Sequence, residues 1–299
     1  MLALIDEFRE ALLAAGLVPP TSLLADGKIH RCDLEGKRGK RGGAYQLFPD
    51  LLGGGYQNWS SGGWTKWRTQ QRQMSQDERA AMVAMMGQER AKREAERAAA
   101  ACAAKVKAER MWTAAKEGQH PYLDRKGICQ NGTRVLGNLL LVPVHDAAGV
   151  LVSLQCVSED GTKRFLKGGS MEGCFTWLRI GEQTGPRVYI CEGLATGTTI
   201  HAATKGRPVA VAFSCWNILP VARALRRAIP GGRFTICADN DHRTDGNPGV
   251  KHAAAAAIDI HARLAIPNGM VGTDFNDLMI ERGIDWVSTQ LNSATIPNR

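Results

Sequence analysis

Asp239 and Asp241 flank Asn240 at the end of the apolar run Phe234-Thr235-Ile236-Cys237-Ala238. Period-two spacing at an extended strand end puts both carboxylates on one side. Two such groups repel each other and favour a cation between them. A second run, Val188-Tyr189-Ile190-Cys191, ends in Glu192, and Gly193 follows at once. Ligands in open α/β sheets collect at the carboxyl edge of the strands, so these acids are expected to converge there. Converging carboxylates commonly hold a hard divalent cation over a phosphate. Glu192 would be a third ligand or a general base for a 3′-hydroxyl. Each motif alone also reads as an ordinary strand-end turn, since Asp, Asn and Gly populate loops. Their conjunction favours the metal site.

Other residues fit around such a site. Gly193-Leu194-Ala195-Thr196-Gly197 opens a helix and lets the backbone approach a ligand. Asp245 follows the acidic pair and is a candidate further metal ligand, or else a solvated loop acid. Asn247-Pro248-Gly249 and Lys251 lead into a helix N-terminus, a natural place for phosphate. Asp274 reads as a helix cap, with a remote metal contact as the alternative, and Asp277 follows it. Lys163, Arg164 and Lys167 lie in a β-like segment, where they suit a triphosphate or a template phosphate. A charged edge strand guarded against aggregation is the other reading. Arg134 is a candidate for a similar part.

These residues need a frame. From 187 the pattern is strand, helix, strand, helix, strand, helix. Strands are expected at 187–191, 208–213 and 233–238, with helices near 195–204, 217–228 and 249–264. Such alternation argues a parallel sheet wrapped by helices. Short helices are expected at 276–283 and 285–291. Residues 134–178 alternate apolar pieces with turns and read as a small antiparallel β unit. Upstream, Ser75-Gln76-Asp77-Glu78 is a capping box for a long Ala/Glu/Arg/Lys helix, with Gly87 as its weak point. Its composition suits a solvated arm or linker. Residues 2–16 have the spacing of an amphipathic helix closed by Gly16.

Between these helices lies a Gly-rich, aromatic and basic stretch. Arg38, Lys40 and Arg41 in the 36–43 loop, with Trp59 and Trp64, suit single-stranded nucleic acid, cations tracking the backbone and rings stacking on bases. Trp59, Trp64 and Trp67 also read as the core of a small domain. The chain has 299 residues, 44% hydrophobic and 22% charged, with a formal net charge of +9. That length suggests roughly two domains, and the basic balance favours an acidic partner, nucleic acid before membrane. The eight cysteines form no C-x-x-C pair, which fits reduced thiols in a cytoplasmic protein. The N-terminus has no basic n-region, and no apolar run approaches the ~20 residues of a membrane span. His30-Arg31-Cys32 has no second Cys/His pair nearby, so structural zinc is not expected.

With these motifs in view, the chain resembles the Toprim family, and more narrowly the DNA primases of conjugative plasmids (TraC-type) and of satellite and temperate phages. The resemblance covers about 120–283. Cys191-Glu192-Gly193-Leu194-Ala195-Thr196-Gly197 matches the first Toprim motif. Ala238-Asp239-Asn240-Asp241 with Gly246-Asn247-Pro248-Gly249 matches the second, and Gly272-Thr273-Asp274-Phe275-Asn276-Asp277-Leu278 the closing one. Arg134 with the following Leu-rich strand, and Lys163-Arg164-Phe165-Leu166, match the opening of the catalytic core and its basic segment. The 26–45 stretch looks like the leader module of these primases, without the cysteine pairs of a zinc ribbon.

The implied fold is α/β: a Toprim-like parallel sheet flanked by helices, preceded by a small antiparallel β unit, with a long helical linker and a small N-terminal α+β module. The expected division is 1–72 leader module, 73–118 linker, 119–186 β-rich part and 187–299 Toprim domain with C-terminal helices. The implied activity is synthesis of short RNA primers on single-stranded DNA from ribonucleoside triphosphates, for replication of a mobile element. Glu192, Asp239 and Asp241 would be catalytic and, with Asp245, would hold two Mg²⁺ or Mn²⁺ ions. Arg134, Lys163, Arg164, Lys167 and Lys251 would bind nucleotide or template. No Walker-type Gly-Lys-Ser/Thr loop is present, so a separate replicative helicase is the expected partner. The alternatives are a Toprim nuclease using the same acids and a non-catalytic adaptor that binds single strands.

Overall fold

A computed structural model of the chain describes residues 2–60, 62–69, 76–178 and 187–297. It divides into two compact units, 1–91 and 92–299. In the first, α1 (Leu2–Ala14) precedes an antiparallel sheet of five strands in sequential order: β1 (Leu17–Val18), β2 (His30–Leu34), β3 (Gly43–Leu47), β4 (Gly53–Asn58) and β5 (Thr65–Arg68). Phe8 and Leu12, one helical turn apart on α1, are fully buried against Leu17, Tyr45 and Leu47 of the sheet. Gly16 ends the helix in the left-handed region at φ +72°.

The long helix α2 (Gln76–Ala114) runs through Gly87 without a break. The expected capping box rests on Ser75, which lies outside the described residues. The last turns of α2 are not a solvated arm. Ala104 and Ala108 are buried and pack with Leu141, Leu154 and Leu166 of the following β unit. Alanines four apart give a smooth face that seats closely on a sheet, a signal hidden inside an otherwise charged sequence.

In the second unit, α3 (Pro121–Lys126) leads into the antiparallel sheet β6 (Arg134–Leu136), β7 (Leu139–His145), β8 (Leu151–Ser158) and β9 (Lys163–Phe165). A second sheet follows. Its elements are β10 (Thr176–Leu178), β11 (Arg187–Cys191), α4 (Leu194–Ala203), β12 (Val209–Val211), α5 (Cys215–Ala228), β13 (Arg233–Cys237), α6 (Pro248–Asp259) and β14 (Arg263–Ala265), then α7 (Phe275–Arg282) and α8 (Ile284–Asn292). The strand order is β10-β12-β11-β13-β14, with β10 antiparallel and the rest parallel.

Alternate strand residues face opposite layers. Tyr189 and Cys191 pack with residues of α4, α7 and α8, whereas Val188 and Ile190 pack with residues of α5 and α6. The expectation of a helix through 249–264 is corrected here. The helix stops at Asp259, His261 takes a left-handed φ of +50°, and 263–265 form the edge strand β14. A three-residue strand is too short for its period to be read from sequence.

Candidate active site

β11 and β13 are direct neighbours in parallel register, with Ile190 opposite Ile236. Glu192 and Asp239 therefore leave the sheet at the same edge. Both line a cavity of about 210 Å³, together with Asp274, Lys126, Lys163, Gln155, Tyr122, Thr196 and Phe213. Asp241 does not line it but stands close enough to act on Glu192. Burial raises the pKa of Glu192, and the charge of Asp241 raises it further. The backbone N–H of Cys215, at the start of α5, favours its ionised form, and so does Lys163. Asp239 is held well above the usual carboxylate range, first by burial, then by Glu192, Asp274 and Asp241. A cluster that pushes its own members toward protonation lacks positive charge.

Local packing explains the placement. The Asp241 carboxylate (Oδ2) accepts from the Gly249 N–H at 3.1 Å, so α6 begins against the strand end. A Cβ at Gly249 would lie 2.3 Å from the Asp239 carbonyl oxygen, so no other residue fits this contact. The Asn240 N–H donates to the Thr273 carbonyl at 2.6 Å, which draws the 272–277 segment to the same edge. Asp274 caps α7, accepting from the N–H groups of Asn276 and Asp277 at 2.7 and 2.9 Å, and it also reaches the cavity. The two readings of Asp274 are thus not exclusive. Asp277 pairs with Lys126 at 3.7 Å. Gly197 serves packing rather than ligand approach: a Cβ there would meet Val211 at 2.7 Å and Leu178 at 2.9 Å.

Three enclosed polar atoms in this lining have no protein partner among the described residues: Asp239 Oδ1, Thr196 Oγ1 and Tyr122 Oη. Buried polar groups are ordinarily satisfied, so three in one cavity point to a ligand that completes them. Among the described residues, no three Asp, Glu, His or Cys side chains close around a single point as a ready-made cage. The donor set nevertheless fits a hard cation of the Mg²⁺ type, which takes one or two carboxylates and fills its shell with water and phosphate oxygens.

Other predicted residues fall in different places. Lys163 Nζ sits 5.5 Å from the Tyr122 ring centroid, at the cavity wall. Arg164 is the next residue on β9, so it faces the opposite way, and Lys167 is exposed in the turn after it. Asp245 is exposed in a turn and Lys251 is exposed on α6; neither lines the cavity. Arg134 stacks 4.6 Å over the Trp112 ring and donates to the Trp112 carbonyl at 2.8 Å, which ties β6 to α2. In the first unit, Arg38, Lys40 and Arg41 are exposed on a turn organised by Asp33, whose carboxylate accepts from the N–H groups of Gly39 and Arg41. Trp59 is 56% exposed with Arg31 at 4.1 Å over its ring, and Trp64 is 39% exposed. Neither of these two is core, whereas Trp67 packs on it, its ring 4.8 Å from that of Phe8.

Sequence reasoning did not single out Lys126, Gln155 or Tyr122. They come from α3 and β8, more than 30 residues before Glu192, and no local motif marks them.

The geometry agrees with an independent finding: the Toprim domain family matches residues 187–285. The chain carries a Toprim domain. Over 278 residues it is 32% identical to the DNA primase TraC of Escherichia coli, covering 88% of this chain and 26% of TraC. A second Escherichia coli DNA primase TraC is 32% identical over 282 residues, 19% of its length. The chain thus spans about a quarter or less of the curated relatives it matches. Among solved structures, the primase fragment of the bacteriophage T7 primase-helicase protein aligns with a TM-score of 0.44 at 15% identity, covering 56% of this chain and 73% of that one. The RNA polymerase domain of Mycobacterium tuberculosis primase DnaG aligns at 0.39 and 17%, covering 60% and 64%. No helix among the described residues is long and apolar enough to cross a membrane.

Proposed function

We propose that this protein is a DNA primase that joins ribonucleotides on a single-stranded template, with Glu192, Asp239 and Asp241 at the reacting centre. The observation that carries the reading is one cavity lined both by carboxylates of the Toprim domain's strand edge and by two lysines. Asp239 and Asp241 would hold the divalent ions. When bound, those ions lower the pKa of an attacking hydroxyl and neutralise charge on the leaving pyrophosphate.

The protein's own groups do the rest. Glu192 sits in a buried, acidic setting that raises its pKa, which suits it to take the proton of a 3′-hydroxyl. Lys163 and Lys126 line the same cavity as Glu192 and Asp239, where their ammonium groups, that of Lys126 also paired with Asp277, would meet a bound triphosphate. Thr196 and Tyr122 offer hydroxyls that no described residue pairs. The exposed loop with Arg38, Lys40 and Arg41, beside Trp59 and Trp64, would hold the template. Arg134 acts by bracing the β unit against α2.

A nuclease would need the same acids but no triphosphate site, so the lysines in the same cavity favour polymerisation. The test is primer synthesis on single-stranded DNA with labelled ribonucleoside triphosphates and Mg²⁺ or Mn²⁺. Product is expected from the wild type, and a loss larger than the ~10–100-fold typical of outer-shell changes is expected from Asp239→Asn or Asp241→Asn. Cleavage without added triphosphates would replace this reading with the nuclease. Intact replication function in Asp239→Ala would replace it with the adaptor.

A further inference from the structure

Trp216 is 73% exposed on the first turn of α5. A single exposed ring is ordinary on a protein surface, but three facts set this one apart. The first is a brace: the His252 ring, from α6, lies against it with centroids 4.1 Å apart and planes at 51°. The second is position. Trp216 directly follows Cys215, whose N–H supports the Glu192 carboxylate. His252 follows Gly249 by three residues, and the Gly249 N–H holds Asp241. The ring pair is therefore built from the opening turns of the two helices that grip the carboxylate edge. The third is charge. Lys251, exposed, precedes His252 on α6, and the first turn of each helix carries the positive end of its dipole.

We propose that Trp216, braced by His252, is a stacking platform for an unpaired nucleobase beside the carboxylate site. The proposal rests on the nucleic-acid reading of that site. Every base offers a π-face, and an indole left open on one side binds it without demanding a sequence. Cations and helix N-termini alongside suit the phosphates that accompany the base. The base belongs either to the single-stranded template or to the incoming nucleotide. The chemistry is shared and two readouts separate the sources.

Binding of a fluorescent oligothymidylate is measured by anisotropy for wild type, Trp216→Ala, Trp216→Phe, His252→Ala and His252→Phe. It is measured in the full chain and in the same chain carrying Arg38→Ala, Lys40→Ala and Arg41→Ala, so that the basic loop cannot mask a loss. The KM for ribonucleoside triphosphate in primer synthesis is the second readout. Trp216→Ala is expected to weaken oligonucleotide binding by about fivefold or more if the base is the template's. If the base is the incoming nucleotide's, KM rises by a similar factor and oligonucleotide affinity holds. Trp216→Phe keeps an aromatic face and recovers most of either loss. His252→Ala shows a smaller loss in the same direction, which His252→Phe recovers. Trp216→Ala matching wild type in both readouts, or an equal loss in Trp216→Phe, overturns the proposal. Asp239→Asn separates the two readings: it should bind like wild type while losing synthesis. If the wild type makes no primer, the site reading fails, and the platform is judged by binding of the oligonucleotide and of a fluorescent ribonucleoside triphosphate, an unchanged Trp216→Ala in both overturning it.

Discussion

Replacing Asp239 by Asn should stabilise the ion-free protein while abolishing its chemistry. The Oδ1 atom of Asp239 is enclosed and has no hydrogen-bond partner among the described residues. Glu192, Asp274 and Asp241 all act to raise its pKa, on top of burial. An unsatisfied buried polar group costs about 1–3 kcal/mol, more when charged. Asparagine keeps the shape, removes the charge and supplies an N–H₂ that can donate to the neighbouring carboxylates. A gain of about 1–3 kcal/mol at neutral pH follows, which for a unit near 200 residues is a melting-temperature rise of roughly 2–12 °C. Because the folded-state pKa of Asp239 is raised, the stability linked to its proton is fully present below the unfolded value. It is lost as pH rises through the folded value. The wild type therefore weakens toward neutral pH more than the variant, which keeps only the smaller contribution of Glu192. Their difference is widest above the raised pKa and closes as pH falls toward the ordinary carboxylate range. Saturating Mg²⁺ or Mn²⁺ should stabilise the wild type, by about 2.7 kcal/mol at a hundredfold excess over Kd, and leave the variant nearly unmoved. Thermal melts from pH 5 to 8, in EDTA and with added ion, check all of this. A variant that melts lower than wild type in EDTA at pH 7–8, a difference independent of pH, or an equal response to ion would refute the reasoning.

Other expected outcomes are more local. Gly249→Ala places a Cβ 2.3 Å from the Asp239 carbonyl; a loss of about 1–3 kcal/mol is expected from overpacking, visible in denaturant melts, with primer synthesis falling because α6 shifts off the acids. Arg134→Ala removes a ring contact and a hydrogen bond to α2; stability should fall by about 1–2 kcal/mol, while the KM for ribonucleoside triphosphate stays put. Single-strand affinity should fall linearly with salt on a log–log plot, and Arg38→Ala with Lys40→Ala and Arg41→Ala should flatten the slope by roughly two units, at about 0.7 per phosphate contact. Equal slopes would remove the basic loop from the binding surface.

The sequence by itself determined the elements that carry the acids. Runs of apolar residues ending in Glu192 and in Asp239-Asn240-Asp241 marked strand ends, because a buried strand is continuous in type and its end is not. Parallel pairing of β11 with β13 then had one consequence, a shared acidic edge. The motif around Gly249 was legible too, although its reason is steric contact with Asp239 rather than freedom near a ligand. Tertiary structure alone decided what faces the acids. Lys126 reaches the cavity because Asn276, 150 residues away, donates to its carbonyl and Asp277 pairs with its ammonium. Lys163 and Arg164 are chemically alike, yet only Lys163 lines the cavity, since adjacent strand residues point to opposite sides. Arg134 found a ring on α2, and Trp216 found one on α6, through packing that no local pattern records. Periodicity reports which face of an element is buried; which element it meets is set by how whole layers stack.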